Sequence, residues 1–370
     1  MSRKKRGFQE FLSVVFSVFL LSFTLLFLDD FSDSLSGFAS QLLSLSEQTE
    51  LDVVSLSEMV ITQEKTSANI YGFGSGTKTD TVSSDVTTPE DIKKIMNDAV
   101  PVYANLKKTG GIEETALLGT ASTVNYGNVS VNNKTETKKV NVKNELSKKP
   151  SFGKITKEKP YILIYHTHTT EGYELLDKGW YSNDYNSRTK DTTKTVVRVG
   201  DEIAERLEKA GFKVIHDKTI YDASYNGAYS RSLETVEKYL EEYPSIVVTL
   251  DVHRDAIHYE NGTKCKPTAI INGKKAAQVM IITGAEEGSV DGFPEWEKNL
   301  TFAIALQNKV EENYKGLMRP VFFCQSKYNM NVTPRSLLLE LGTDANTLDE
   351  AVYSGRLIGD SLAELLEENM

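Results

Sequence analysis

Apolar and polar positions along the chain fall into three stretches of different character. Phe11 to Leu28 is an almost unbroken run of Leu, Phe, Val and Ser without a charge; Arg3, Lys4, Lys5 and Arg6 precede it, and Asp29 and Asp30 close it. Counting in Phe8, its length matches a hydrocarbon core of roughly 30 Å at about 1.5 Å per residue. Basic residues before the run and acids after it place the N-terminus in the cytoplasm and the rest of the chain outside. A basic tail and an uncleaved transmembrane helix are therefore expected over 1–30. The rival is a cleaved signal peptide, but no small-x-small cleavage site directly follows Leu28.

The second stretch, 31–122, reads as a juxtamembrane segment and linker. Ser34 to Glu64 has apolar residues at irregular helical spacing, and Thr66 to Thr88 is rich in Ser, Thr, Gly and Asp. Such a composition buries too little surface to offset its ordering entropy. Pro89-Glu90-Asp91 opens a short helical pattern, Ile92 to Val100. The third stretch, 123–370, begins with two alternating segments, Asn128–Asn132 and Lys139–Lys143, which predict an exposed hairpin or edge strands.

From Tyr161 onward, strand and helix patterns alternate. Apolar runs bounded by breakers predict strands at Tyr161–Tyr165, Lys213–His216, Ser245–Val252, Ala277–Thr283, Pro320–Cys324 and Ser336–Leu341. Helical periodicity marks Lys194–Ala210, Ser232–Glu242, Trp296–Tyr314 and Leu348–Glu368. The spacing predicts an α/β fold, a mostly parallel sheet with helices on both faces. The tail helix, with Leu348, Val352, Leu357, Leu362 and Leu366 in near-helical register, reads as core packing.

A formal charge of −10 argues against a nucleic-acid binder, which needs a basic face. Cys265 and Cys324 have no CxxC or Cys-His spacing, so a cysteine zinc knuckle is excluded; two buried free thiols are expected, with one disulfide as the alternative.

The candidate chemistry sits at strand ends, where open α/β sheets bind ligands. The run Tyr161–Tyr165 passes abruptly into His166, His168 and Glu171; the run ending at Val252 passes into His253-Arg254-Asp255; Leu337-Leu338-Leu339 passes into Glu340. Zinc takes imidazole nitrogen and carboxylate oxygen, so these groups make a metal site if the three strands are neighbours. The plainer reading of each burst alone is hydrogen-bonded loop residues. His216 and His258 have weaker context, and His216 reads as a surface loop residue. Arg231 and Arg254 read as ion-pair partners of Asp222 or Asp255, with carboxylates of a substrate as the alternative. Tyr221, Tyr225 and Tyr229 read as loop packing.

Four segments together resemble the stage II sporulation protein P family of endospore-forming bacteria: Ile162–Tyr173 (Ile-Leu-Ile-Tyr-His-Thr-His-Thr-Thr-Glu-Gly-Tyr), Ser224–Ser232, Asp251–Asp255 and Leu338–Asn346. The likeness runs from about Thr123 to the C-terminus, and the basic N-terminus with its anchor also fits. It implies a fold like that of zinc-dependent N-acetylmuramoyl-L-alanine amidases, with Zn2+ as cofactor and peptidoglycan as substrate. It implies cleavage of the amide joining the glycan's lactyl group to the stem peptide, with endopeptidase activity on cross-links. Sporulation proteins D and M become expected partners during engulfment, and the membrane facing the space between mother cell and forespore the expected location.

Laid on the amidase pattern, His168 and His253 take the positions of the two zinc histidines, and His166 points away or stands behind the site. Glu340 takes the catalytic position in Glu340-Leu-Gly342 to Asn346, with Thr343 where the pattern has Phe. The segment matching the ligand glutamate, Ser187–Asp191, has none, so Glu171 is assigned there. Two rivals remain at this stage. One is a zinc peptidase acting on free peptides; the other is a membrane-anchored peptidoglycan-binding scaffold without turnover.

Overall fold

The computed structural model describes residues 86–120, 122–150 and 152–370. The expected membrane anchor and the Ser34–Glu64 segment lie outside the described residues. Among those described, no helix is long and apolar enough to cross a membrane.

The chain forms α1 (Glu90–Tyr103), β1 (Gly110–Thr115), β2 (Val124–Tyr126), β3 (Val129–Asn133), α2 (Val142–Ser147), β4 (Pro160–Tyr165) and β5 (Trp180–Tyr181). It continues through α3 (Val196–Lys209), β6 (Lys213–His216), α4 (Ala228–Glu242), β7 (Val248–Asp255), β8 (Lys264–Ile271) and β9 (Lys274–Ala277). The last elements are β10 (Val279–Gly284), α5 (Trp296–Asn313), β11 (Val321–Cys324), β12 (Ser336–Thr343) and α6 (Leu348–Glu367).

Eight strands form one sheet in the order β2-β3-β11-β10-β12-β7-β4-β6. The sheet is mixed, not mostly parallel. The block β12-β7-β4-β6 is parallel throughout, but β10 runs antiparallel to β12 and β2 antiparallel to β3. The physical reason is connectivity. Parallel neighbours need a crossover that carries the chain back to its starting edge. No helix stands between β7 and β10, so the chain re-enters the sheet in the opposite sense.

In place of that crossover lies a second sheet, β5-β1-β8-β9. Sequence patterning gave no sign of it. Strand β8 carries Lys264, Lys266 and Pro267, and β1 shows no alternation. Residues 139–141 carry no strand, and α2 follows them; the hairpin is β2–β3 alone. Part of the stretch read as linker is built into the domain. Ile92, Ala99 and Tyr103 of α1 are buried, and the Tyr103 hydroxyl donates to Glu174 at 2.6 Å.

The parity of the strands sorts the two sheet faces. Ile162 and Ile164 of β4, Val248, Leu250 and Val252 of β7, and Leu337, Leu339 and Leu341 of β12 share the main core with Val199 and Ile203 of α3 and Val352 and Leu357 of α6. Each buried Leu or Ile contributes about 1.5–3 kcal/mol of transfer free energy. Helix α6 starts on a capping box in which Thr347 and Glu350 each satisfy the other's backbone. The opposite face holds a small apolar cluster of Leu163, Tyr165, Ile246 and Val236 of α4. On β7 the same face carries Thr249, Asp251 and His253, and there the candidate site lies. Both cysteines are free and buried.

Candidate active site

Strands β4, β7 and β12 stand side by side, so the three polar bursts meet on one rim. Tyr165 pairs with Asp251, and Glu340 pairs with His253. Residues two apart on a strand share a face, so Asp251 and His253 point the same way, with Glu340 beside them. Past Tyr165 the chain turns tightly; the Glu171 N–H donates to the His168 carbonyl at 3.0 Å. This folds His168 and Glu171 back over the end of β7.

Their contacts are close. His253 Nδ1 lies 3.4 Å from Glu171 Oε2, and its Nε2 lies 2.8 Å from Asp251 Oδ1, out of line for a hydrogen bond. The rings of His168 and His253 are 5.3 Å apart and nearly perpendicular. His168 Nδ1 is buried without a hydrogen-bond partner, 3.9 Å from Asp222 Oδ2. Glu340 Oε2 is likewise buried without one.

The electrostatics follow from burial and charge. Burial first, and His253 and Arg188 next to it, push His168 down to about 4 against the pull of Glu171, leaving a neutral imidazole. Burial acts on Glu171 in the raising sense, but His253 and then Arg254 outweigh it and lower its carboxyl. Burial also opposes charge on His253, yet the Asp251 and Glu171 carboxylates overcome it and hold the imidazolium. Burial, reinforced by Asp255, raises Glu340 well above the ordinary carboxylate range.

His166 turns away from this group. Its Nδ1 lies 2.8 Å from the Val252 carbonyl and its Nε2 2.8 Å from His216 Nε2. His216 is therefore not a surface loop residue: its side chain is 9 % exposed, and its Nδ1 sits 3.1 Å from Asp201. Arg254 does not pair with the Asp255 carboxylate. Its Nε donates to the Gly172 carbonyl at 2.9 Å and its backbone N–H to Glu171 Oε2 at 3.2 Å. Asp255 instead pairs with buried Arg319 at 2.9 Å. Arg231 donates to the carbonyls of Tyr221, Asn226 and Ser224, not to Asp222. Tyr225 does more than pack its loop, because its ring lies parallel to His168 at 4.6 Å.

Three participants escaped sequence reasoning. Asp251 takes hydrogen bonds from the Thr167 N–H (2.8 Å) and hydroxyl (2.6 Å) while facing His253. Arg188 bridges Glu171 and Asp222. For Asp251 a signal existed, since it precedes His253 by two on one strand. Arg188 and Asp222 come from loops and meet only in the fold.

The donor types are those zinc takes: a neutral imidazole with an orphaned Nδ1, a second histidine that must release its proton to bind, and an ionised carboxylate. Among the described residues, however, the group of three donors whose ligand atoms all lie within 4.8 Å is Glu114, Asp177 and Glu350. His168, Glu171 and His253 do not reach that mutual spacing. The closer group already holds a cation, the Lys266 ammonium, at 3.5, 3.0 and 2.8 Å from its three members.

Comparison with known proteins places this geometry in context. Residues 90–363 match the family model described as Stage II sporulation protein P (SpoIIP). The chain is 29% identical over 245 residues to the stage II sporulation protein P of Bacillus subtilis (strain 168), covering 63% of this chain and 58% of that protein. It thus spans less than two thirds of that relative's length. Among solved structures, it is similar to the CwlD amidase from Clostridioides difficile in complex with the GerS lipoprotein (TM-score 0.35, 12% identity, 56% of this chain and 99% of that one). It is also similar to the N-acetylmuramoyl-L-alanine amidase AmiC2 of Nostoc punctiforme (TM-score 0.33, 10% identity, 56% and 96%). With its family model matched from the first described helix into the last, the chain belongs to the stage II sporulation protein P family.

Proposed function

We propose that the chain is a zinc-dependent peptidoglycan hydrolase of sporulation that cuts the amide between the muramoyl lactyl group and L-alanine, and peptide cross-links with it. Family membership supports the sporulation setting. The observation that carries the chemistry is the direct pairing of Glu340 with His253 on adjacent strands, with the carboxyl buried and its Oε2 unpartnered.

His168, Glu171 and His253 would hold the metal. Zinc, when bound, lowers the pKa of its water to about 7 and polarises the substrate carbonyl. Asp251, itself fixed by Thr167, lies 2.8 Å from His253 Nε2 and would steady the ring through its charge. Glu340 accepts the proton of the attacking water. It then delivers that proton to the amine nitrogen as the C–N bond breaks, so the products are a carboxylate and a free amine. Its raised pKa suits the second half of this exchange, in which it must hold a proton near neutral pH. We further propose that Phe11–Leu28 anchors the protein in the membrane with the catalytic domain outside, and that sporulation proteins D and M are its partners there.

The test is digestion of purified sacculi followed by mass spectrometry of the released fragments. Zinc-loaded wild-type protein is expected to release stem peptides, and Glu340→Ala to release none while keeping its zinc. Binding to sacculi without release by the wild type would favour a scaffold.

A further inference from the structure

Arg188 has no part in the reaction just described, yet it touches the donor Glu171 and also Asp222, the carboxylate that faces His168. Its Nη2 lies 3.0 Å from Glu171 Oε1 and its Nη1 3.1 Å from Asp222 Oδ2. Both carboxylates are buried, and they come from segments that precede and follow α3 in the chain. The Arg188 guanidinium carbon also sits 5.3 Å from the centre of the Tyr225 ring, which stacks on His168 at 4.6 Å and 5°. A column Arg188–Tyr225–His168 thus runs alongside the contact Arg188–Glu171.

The two oxygens of Glu171 are divided by this arrangement. Oε1 is taken by Arg188, while Oε2 faces His253 Nδ1 at 3.4 Å and the Arg254 N–H at 3.2 Å. A carboxylate can bind a metal through one oxygen or through both. A hydrolytic zinc site needs three protein donors and one open position. If Glu171 supplied both oxygens, the second would occupy the position that water must take.

A plainer account makes Arg188 a loop tie, and exposed ion pairs contribute little. That account does not explain why one guanidinium serves two buried carboxylates and an aromatic ring packed on a candidate ligand. Arginine's planar fork suits such a task where a lysine's single ammonium does not.

We infer that Arg188 is a positioning residue for the metal site: it restricts Glu171 to ligation through Oε2 and, through Tyr225, fixes the ring plane of His168. This inference rests on the zinc reading proposed above, and its test separates the two.

The full chain is loaded with Co2+ in place of zinc, and its visible spectrum is recorded together with the zinc dissociation constant from chelator competition. Wild type is expected to give the intense bands of four-coordinate cobalt. Arg188→Met is expected to give the weaker bands of higher coordination, with zinc bound about 10- to 100-fold more weakly. Arg188→Lys should recover part of the affinity but not the spectrum. Tyr225→Phe should match wild type, whereas Tyr225→Leu should weaken zinc binding, and this pair decides the matter if Arg188→Met does not fold. A role confined to tying down the loop would lower Tm and leave spectrum and affinity unchanged, which overturns the inference. A wild-type chain that binds neither metal overturns the zinc reading and this inference with it.

Discussion

Glu340 and His253 are paired residues on adjacent parallel strands, so their side chains leave the sheet on the same face about 4.8 Å apart. That pairing sets the proposed acid–base group beside the imidazole proposed to bind metal, without relying on any loop. Glu340→Gln keeps the shape and removes the proton exchange. Turnover on sacculi should fall about 10²- to 10⁴-fold, while zinc content by metal analysis stays at the wild-type level. Retained turnover would exclude Glu340 from the reaction.

The same carboxyl gives a pH-dependent stability effect in protein stripped of metal with a chelator. Its pKa is raised on folding, chiefly by burial and then by Asp255. A folded pKa above the unfolded value means that its favourable contribution is complete below the unfolded pKa of about 4.3. That contribution is lost as pH rises toward the folded pKa. Glu340→Gln has no such loss. Its Tm should therefore exceed that of wild type at pH 7–8, and the gap should close as the pH approaches 4. A gap that stays constant with pH would show that Glu340 ionises as freely folded as unfolded.

How much of this was readable beforehand depends on the reach of each signal. Strands β4, β7 and β12 were legible because both their faces are buried and each opens on apolar residues that pass into His or Glu. Helices α3 and α6 declared themselves by periodicity. The β1–β8 sheet was not legible. Lys266 of β8 is buried because Glu114, Asp177 and Glu350 surround it, and no local pattern announces partners that far along the chain. The reversed β10 was hidden for a related reason, since strand direction depends on where the chain re-enters the sheet. At the site, His168, Glu171, His253 and Glu340 stood at the ends of readable strands. Arg188 and Asp222 sit in loops, and their meeting is a property of the fold. His216 was misread because its own neighbours, Asp217 and Lys218, are polar, whereas its contact with His166 crosses from β6 to the end of β4.

Asp251 offers a test of the support behind His253. Its carboxylate accepts two hydrogen bonds from Thr167 and faces His253 Nε2. Asp251→Ala leaves a buried N–H and hydroxyl without that acceptor, at a cost of about 1–3 kcal/mol. It also frees the imidazole to rotate, so zinc affinity should drop about 10- to 100-fold. Denaturant unfolding and chelator competition measure the two effects separately. A variant that loses stability but binds zinc as tightly as wild type would remove Asp251 from the metal site.

Gly342 lies two residues beyond Glu340, where the pairing of β12 with β7 shifts register between Glu340 and Thr343. Its φ of +74° is a left-handed conformation that L side chains rarely adopt, and a Cβ there would meet Asn346 Oδ1 at 2.7 Å and the Ala277 Cβ at 2.8 Å. Asn346 has no room to withdraw. Its Oδ1 accepts from the Thr343 N–H at 2.9 Å, and its Nδ2 donates to the Pro267 carbonyl at 3.1 Å and to Glu350 Oε2 at 3.0 Å. The bulge thus ties the end of β12 to β8 and to the cap of α6. Gly342→Ala combines a left-handed residue, about 1–2 kcal/mol, with overpacking of about 1–3 kcal/mol. A total loss of about 2–5 kcal/mol in denaturant unfolding is expected. Because Glu340 is the last residue paired before this bulge, turnover of the folded fraction should fall as well, with zinc content unchanged. A folded Gly342→Ala protein with wild-type stability would show that the turn can be rebuilt without a glycine.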